Sequence, residues 1–426
     1  MFSEFIRVDK ADVYKAGILA GQLHRASDHV SFSYNADYAA VSSEPVATTL
    51  PISTEPLRTP ARSVPAYFAG LLPEGRRLTA LRSAIKTSAD DDFSLLLAVG
   101  GDPIGDVQVV VTGEIPPPFG SSSAAKAGST SDDFANLSFR ELFAEATGAK
   151  PDRGGIAGVQ DKVSEQMISV PISYGAGVIL KFDPPEHPHL VANEAFFLTM
   201  AHDCGIVTCD WRVVSDRDGM LGLLVSRFDR ILLPNGLVSG LACEDGCQLA
   251  NRYPGDKYAL DTEMVFRVVA NSCAAPKAAA NDLLRQFLFA YITGNGDWHA
   301  KNLSVLRRAS EWEPSPAYDL PSSYPYGDKS LAMAVNGTRQ AQISRKGVLR
   351  LAESVGIPER AALMTLEDLL AAAEPWIVRL PELPFDQQRM RHLRRAMTSR
   401  LKLLSPVPLR TPRRGSLIHG QTPHAG

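Results

Sequence analysis

Asp297 and Asn302 stand five residues apart in the string Gly294-Asn295-Gly296-Asp297-Trp298-His299-Ala300-Lys301-Asn302-Leu303-Ser304, and Asp319 follows seventeen residues after Asn302. The string comes after a run with helical periodicity and before an apolar, strand-like run. This set of side chains suits phosphoryl transfer from ATP. One carboxylate orients the attacking hydroxyl, while an amide oxygen and a second carboxylate hold the metal that shields the phosphates. On that reading Asp297 is the catalytic or orienting group, and Asn302 and Asp319 are the metal ligands. His299 and Lys301 either hold the loop or touch phosphates. The plainer alternative makes Asn295-Gly296-Asp297 a turn, His299 a structural histidine and Asp319 an Asx turn before Pro321.

Two earlier segments supply what else such chemistry needs. Gly154-Gly155-Ile156-Ala157-Gly158-Val159-Gln160-Asp161-Lys162 is rich in glycine. Its backbone N–H groups can approach phosphate oxygens, though the spacing also fits an ordinary turn. Lys181 lies inside the apolar run Gly177–Phe182. It belongs either to an edge strand with its ammonium in water or to a phosphate site with Glu194 as its orienting partner. In chain order the pieces are glycine loop, strand lysine, helix glutamate, Asp/Asn loop and metal aspartate. That is the order of a two-lobed kinase.

The elements that must position these groups can be sketched from periodicity. Strands are expected at Gly17–Leu23 and His29–Tyr34 as a hairpin, and helices from Phe68 onward and at Asp92–Val99, with a closing strand at Asp106–Thr112. This makes residues 1–112 a small mixed domain. Residues 113–134 contain Pro116-Pro117-Pro118 and a Ser/Ala/Gly tract, and read as a linker. Residues 135–230 read as mostly strand with one helix at Val191–Asp203, closed by Cys204-Gly205-Ile206. Residues 231–404 read as mostly helical. Leu284, Phe287, Leu288 and Tyr291 make one buried stripe on the helix that runs into Gly294. The tail from 405 to 426 has little to pack.

Composition narrows the classes. The chain has 426 residues, 45% hydrophobic and 21% charged, with a net charge of -3. It can bury large cores and has no general basic surface for nucleic acid or anionic lipid. Its five cysteines, Cys204, Cys209, Cys243, Cys247 and Cys273, fit no paired zinc spacing and read as reduced thiols, which suits the cytoplasm. The opening MFSEFIRVDK carries acids and no apolar core, so no signal peptide is expected, and no apolar run reaches membrane-spanning length.

The chain resembles the HipA family of toxin kinases from bacterial type II toxin–antitoxin pairs. Ala157-Gly158-Val159-Gln160-Asp161-Lys162, Val225-Ser226-Arg227-Phe228-Asp229-Arg230, Glu244-Asp245-Gly246-Cys247-Gln248, Gly296–Ser304 and Ser315-Pro316-Ala317-Tyr318-Asp319 carry the likeness, joined by Leu71-Leu72-Pro73 and Asp92-Phe93. The resemblance implies an α+β, bilobal, phosphoinositide-kinase-like fold with a small N-terminal α/β subdomain, a kinase N-lobe over 135–230 and a helical C-lobe over 231–404. It implies ATP and Mg2+ as cofactors, Asp297 as catalytic aspartate, and Asn302 and Asp319 as magnesium ligands. Lys181 corresponds to the phosphate lysine and Ala157–Lys162 to the phosphate loop. Ser226, Arg227 and Phe228 correspond to the adenine-binding hinge, and His299, Ala300, Lys301, Asn302 and Tyr318 to further nucleotide contacts. The implied partners are a helix-turn-helix antitoxin like HipB, a protein substrate such as an aminoacyl-tRNA synthetase, and DNA through the antitoxin alone. A small-molecule or lipid kinase, or a non-catalytic nucleotide-binding co-repressor, is the competing reading.

One departure has a consequence. Many relatives carry, just before the Ile-Ala-Gly-x-Gln stretch, a serine that they autophosphorylate to switch themselves off. Here that position is Gly155, which has no hydroxyl. Incubation with ATP is therefore expected not to silence the wild type through residues 154–164, whereas Gly155→Ser gains that inactivation. Activity after pre-incubation, with phosphopeptide mapping, checks it; phosphate on residues 154–164 of a self-inactivated wild type would contradict it.

Overall fold

The structure is a computed structural model that describes residues 2–88, 91–121, 131–147, 167–172, 174–184, 186–340 and 342–406. The alternating N-terminal run folds into β1 (Lys10–Lys15), β2 (Ile18–Arg25) and β3 (His29–Tyr34), followed by α1 (Ala36–Val41) and β4 (Leu57–Pro60). Then come α2 (Ala66–Gly70), α3 (Gly75–Ile85), α4 (Asp92–Val99) and β5 (Val107–Val111). The expected hairpin is β2 paired with β3 in antiparallel register, Leu23 opposite Phe32. The full sheet runs β4-β3-β2-β1-β5. Val13, Leu23, Phe32, Phe68, Phe93 and Val109 form its core.

The segment expected to be a linker is partly packed. Phe119 lies under the Arg230 guanidinium, 4.5 Å from ring centroid to carbon. Phe134 is fully buried in the core of the next unit. Apolar anchors spaced among prolines and serines leave no periodicity to read, so composition concealed them.

The next unit holds α5 (Phe139–Thr147), β6 (Ile168–Ile172), β7 (Val178–Phe182), α6 (Leu190–Asp203), β8 (Trp211–Ser215) and β9 (Leu221–Ser226). Its sheet is antiparallel with order β6-β7-β9-β8. Only one helix was expected here, and α5 is a second. The Phe139 N–H at its start donates to Asp216 Oδ2 at 3.1 Å, a partner 77 residues away that no local signal announces. The end of α6 follows the sequence closely. Gly205 sits at φ +72. Its N–H bonds the His202 carbonyl at 2.9 Å, and Ile206 N–H bonds the Ala201 carbonyl at 3.0 Å, the two bonds of a Schellman cap.

The rest comprises β10 (Arg230–Leu232), β11 (Val238–Gly240), β12 (Cys243–Asp245), α7 (Gly246–Leu249), α8 (Thr262–Ser272), α9 (Pro276–Thr293), β13 (Ser304–Arg308) and β14 (Glu311–Pro314). Four helices close it: α10 (Arg345–Ser354), α11 (Glu359–Ala373), α12 (Trp376–Arg379) and α13 (Gln387–Leu404). It is less purely helical than expected, because β12-β13-β14 form a sheet whose middle strand follows directly on the Asp297–Asn302 loop. The C-terminal half of α9 is buried all round rather than along one stripe: Phe289, Ala290 and Ile292 are as enclosed as Leu284, Phe287, Leu288 and Tyr291. A central helix wrapped by α8, α11 and α13 has no face left for water.

Charge joins the N-terminal unit to the others. Asp229 Oδ2 accepts from Arg227 Nη2 at 2.9 Å, Arg230 Nη1 at 2.7 Å and the Gly105 N–H at 2.9 Å. Arg230 Nη2 also pairs with Asp102 Oδ1 at 2.6 Å. Burial works to raise the Asp229 pKa, but Arg227 and Arg230 outweigh it and hold the carboxyl below its ordinary value. A depressed folded pKa contributes stability above the unfolded value, about 3.9, that is lost as pH falls through the folded value. Asp229→Asn leaves two buried guanidinium groups short of a counter-charge and is expected to cost about 3–5 kcal/mol at pH 7. Denaturant unfolding at pH 7 and pH 3 checks both points, since the gap between wild type and variant should narrow in acid.

Candidate active site

β7 is an inner strand, bonded to β6 on one side and β9 on the other. That removes the edge-strand alternative for Lys181. Val178, Leu180 and Phe182 face the core, and Ile179 and Lys181 face the opposite side. There the Lys181 ammonium lies 2.7 Å from Glu194 Oε1 on α6 and 2.9 Å from Asp319 Oδ1. Burial opposes the charge on Lys181, yet Asp319 and Glu194 more than compensate and push its pKa well up. Glu194 is itself raised, first by burial, with Lys181 acting against the rise. Lysine, glutamate and aspartate together carry one negative charge in excess.

The Asp/Asn loop begins where α9 stops. Gly294 adopts φ +75, and its N–H bonds the Ala290 carbonyl at 3.0 Å. An added Cβ would come within 3.1 Å of Tyr324 Cβ, so conformation and space both call for glycine. Asn295 clamps the Asp297 and Asp319 segments together. Its Oδ1 accepts the Asp297 N–H at 3.0 Å, and its Nδ2 donates to the Asp319 carbonyl at 3.2 Å. Asn302 Nδ2 donates to the Asp297 carbonyl at 3.1 Å and to Asp319 Oδ2 at 3.4 Å. Asp319 holds a left-handed conformation at φ +58, which Asp tolerates better than most residues. Beyond it, Asn193 of α6 bonds Ser322 in both directions, at 2.7 and 3.0 Å. Lys181, Glu194, Asp297, Asn302 and Asp319 are thus brought to one place by four chain segments.

The remaining candidates divide. Tyr318 lies ring to ring with Phe228 at 5.4 Å, and its hydroxyl donates to the Lys301 carbonyl at 2.6 Å. Ser226 ends β9, opposite Val178. Ala300 is fully buried, and His299 is buried with its ring against Tyr258. Two side chains read as nucleotide contacts point elsewhere. Lys301 Nζ pairs with Asp245 Oδ2 at 2.6 Å and bonds the Gly70 carbonyl at 3.1 Å, so it anchors the loop instead. The Arg227 guanidinium is held by Asp229 and the Pro103 carbonyl at 2.7 Å. In both cases a buried cation takes the nearest carboxylate, a preference that spacing along the chain cannot show. Ala157, Gly158, Val159, Gln160, Asp161 and Lys162 lie outside the described residues.

Two residues that sequence reasoning passed over belong here. Asn295 stood in plain sight within a turn-like Asn-Gly, and its buried position was the missing fact. Tyr258 donates a hydrogen bond to Asp297 Oδ1 from 39 residues away, with no spacing signal to reveal it.

The donor set can be tested against magnesium. The Asn302 amide nitrogen makes the bonds to the Asp297 carbonyl and Asp319 Oδ2, which leaves the amide oxygen for a cation. Among the described residues no group of three His, Cys, Asp or Glu is placed to hold a metal. One carboxylate and one amide oxygen suit a hard cation that draws its other ligands from phosphate and water.

Sequence comparison decides the family. A model of the HipA-like C-terminal domain matches residues 154–377, and one of the HipA N-terminal domain matches residues 11–110. The chain belongs to the HipA family. A Sinorhizobium fredii protein provisionally named kinase Y4mE is 29% identical over 385 residues, 84% of this chain and 89% of that protein. The serine/threonine-protein kinase toxin HipA of Shewanella oneidensis is 27% identical over 350 residues, 76% of this chain and 78% of that protein. A solved structure from Shewanella oneidensis MR-1, of toxin–antitoxin HipA and HipB with operator DNA, aligns with TM-score 0.71 at 22% identity. The alignment covers 92% of this chain and 96% of that one, so the two share a mixed helix-and-sheet, HipA-type kinase fold.

Proposed function

We propose that this HipA-family chain is an ATP- and magnesium-dependent serine/threonine-protein kinase that acts as the toxin of a type II toxin–antitoxin pair. The observation that carries this is the convergence of Lys181, Glu194 and Asp319 with Asn302 and the Asp297 loop. Lys181, steadied by Glu194, donates to phosphate oxygens. Asp319 and Asn302 hold the magnesium, which when bound neutralises charge on the phosphates. Phe228 and Tyr318 offer the purine an apolar wall beside Ser226. By the family likeness, Ala157–Lys162 supply the phosphate-binding loop. Asp297 accepts a hydrogen bond from the acceptor hydroxyl and aligns its oxygen on the γ-phosphorus. As the new O–P bond forms and the bond to the β-phosphate oxygen breaks, the hydroxyl proton passes to Asp297 and ADP leaves.

The acceptor is a protein serine or threonine, with a translation component such as an aminoacyl-tRNA synthetase as the expected class from the family likeness. The partner is a helix-turn-helix antitoxin of the HipB type, through which DNA is reached. The site of action is the cytoplasm; among the described residues no helix is long and apolar enough to cross a membrane. Labelled ATP with cell lysate separates this reading from a small-molecule kinase: a discrete radioactive protein band supports it, and label confined to small molecules contradicts it.

Two substitutions test the roles. Asp297→Asn should lower phosphoryl transfer by about 10²–10⁴-fold while nucleotide binding persists; near wild-type transfer would remove Asp297 from its role. Asp319→Ala should lose the magnesium-dependent part of nucleotide affinity as well as activity. Calorimetry with ATP, with and without magnesium, reads this directly, and equal magnesium dependence in variant and wild type would count against the ligand.

A further inference from the structure

Asp297 is gripped from a direction that the catalytic string does not supply. Tyr258 follows the short 3-10 turn Pro254–Asp256 and donates its hydroxyl hydrogen to Asp297 Oδ1. Its ring meets His299 edge-on, with centroids 5.1 Å apart at 77°. Its carbonyl accepts from Arg339. Hydroxyl, ring and main chain are therefore all held. Over the ring sits the ammonium of Lys257, 5.2 Å from the centroid, a cation–π contact. The Lys257 carbonyl also accepts the Ala300 N–H at 3.4 Å, tying the same segment to the catalytic loop.

Lys257 in turn is anchored by the N-terminal unit. Its Nζ lies 3.1 Å from Glu74 Oε2, and its side chain is only 6% exposed. Glu74 occupies the N-cap position of α3, yet its side chain does not cap that helix. The carboxylate reaches across to Lys257 instead. A contiguous path runs from carboxylate to ammonium, aromatic face, phenol and catalytic carboxylate. It links the N-terminal unit to the reacting centre without passing through the nucleotide residues.

We propose that Tyr258 is a positioning residue for Asp297, and that Glu74, acting through Lys257, extends this positioning to the N-terminal unit. The inference rests on the kinase reading of Asp297 and adds to it. A phenol O–H donated to a carboxylate is a strong, directional bond that fixes the plane of the acceptor. In-line transfer depends on that plane, since small misplacements of an orienting group are costly in rate. Nucleotide affinity does not depend on it. The N-terminal unit is on this account part of the catalytic apparatus, and anything that draws Glu74 away from Lys257 slows transfer while leaving nucleotide bound.

The test uses the full chain, with Tyr258→Phe, Glu74→Gln and the double variant, and reads label transfer from γ-labelled ATP to protein in cell lysate. Tyr258→Phe should lower kcat by on the order of tenfold to a hundredfold, the effect of losing one hydrogen bond to a charged group. The KM for ATP should stay within about twofold. Glu74→Gln should act in the same direction more weakly, and the double variant should be no slower than Tyr258→Phe, because both act through one path. Unchanged kcat in Tyr258→Phe, a raised KM with kcat intact, or effects that multiply in the double variant would each overturn the proposal. Should Tyr258→Phe fail to fold, Glu74→Gln and Lys257→Met with their double carry the same comparison. Asp297→Asn run alongside separates the two claims: an active Asp297→Asn removes the kinase reading, whereas an inactive one beside a wild-type Tyr258→Phe removes this inference alone.

Discussion

An ammonium buried between two carboxylates holds this molecule's working parts in register. Lys181 comes from the middle of β7, Glu194 from α6 and Asp319 from the segment after β14. None of these charges is stable alone in such a place, since burying an isolated ion is expensive and only pairing offsets the cost. Each element is therefore constrained by the other two. The β6-β7-β9-β8 sheet cannot slide on α6 without exposing Glu194, and the Asp319 segment cannot leave without unpairing Lys181. The excess negative charge that remains suits a hard cation.

The N-terminal unit is bound to this assembly by charge rather than by a continuous apolar interface. Its core is separate from the large helical core. Between them lie Lys301 against Asp245 and the Gly70 carbonyl, Glu244 against Thr48, Lys257 against Glu74, and Arg227 and Arg230 against Asp102. Buried ion pairs of this kind add little net stability, but they tolerate few alternative alignments. Two of them, at Lys301 and Lys257, fall at the Asp297–Asn302 loop. A seam built this way orients one unit on the other.

Local rules explain the elements that were legible. The β2–β3 hairpin, α4, β7, α6 with its Schellman cap, and the stop of α9 at Gly294 all depend on contacts within a few residues, so periodicity and cap residues announce them. The elements that escaped depend on distant partners. Helix α5 takes its first bond from Asp216, Phe134 is ordered by a core it joins only in three dimensions, and Tyr258 meets Asp297 across a turn and a helix pair. Lys301 and Arg227 are instructive in the same way. Sequence left Lys301 to hold the loop or touch phosphate, and the family likeness placed Arg227 in the adenine hinge; buried aspartates hold both side chains, and Asp245 is 56 residues from Lys301.

The sequence by itself determined the chemistry on offer. Asp297, Asn302 and Asp319 with Lys181 and Glu194 are the residue types that metal-assisted phosphoryl transfer requires, and their order along the chain pointed to one family. It also determined the local turns and caps that begin and end the elements carrying them. Tertiary structure alone decided which charges meet. It put β7 inside its sheet and so turned Lys181 toward two carboxylates, sent Lys301 to Asp245, and brought the phenol of Tyr258 onto Asp297. The physical reason is that buried charge is settled by the nearest available counter-charge in space, and nearness in space is a property of the packed chain rather than of any segment of it.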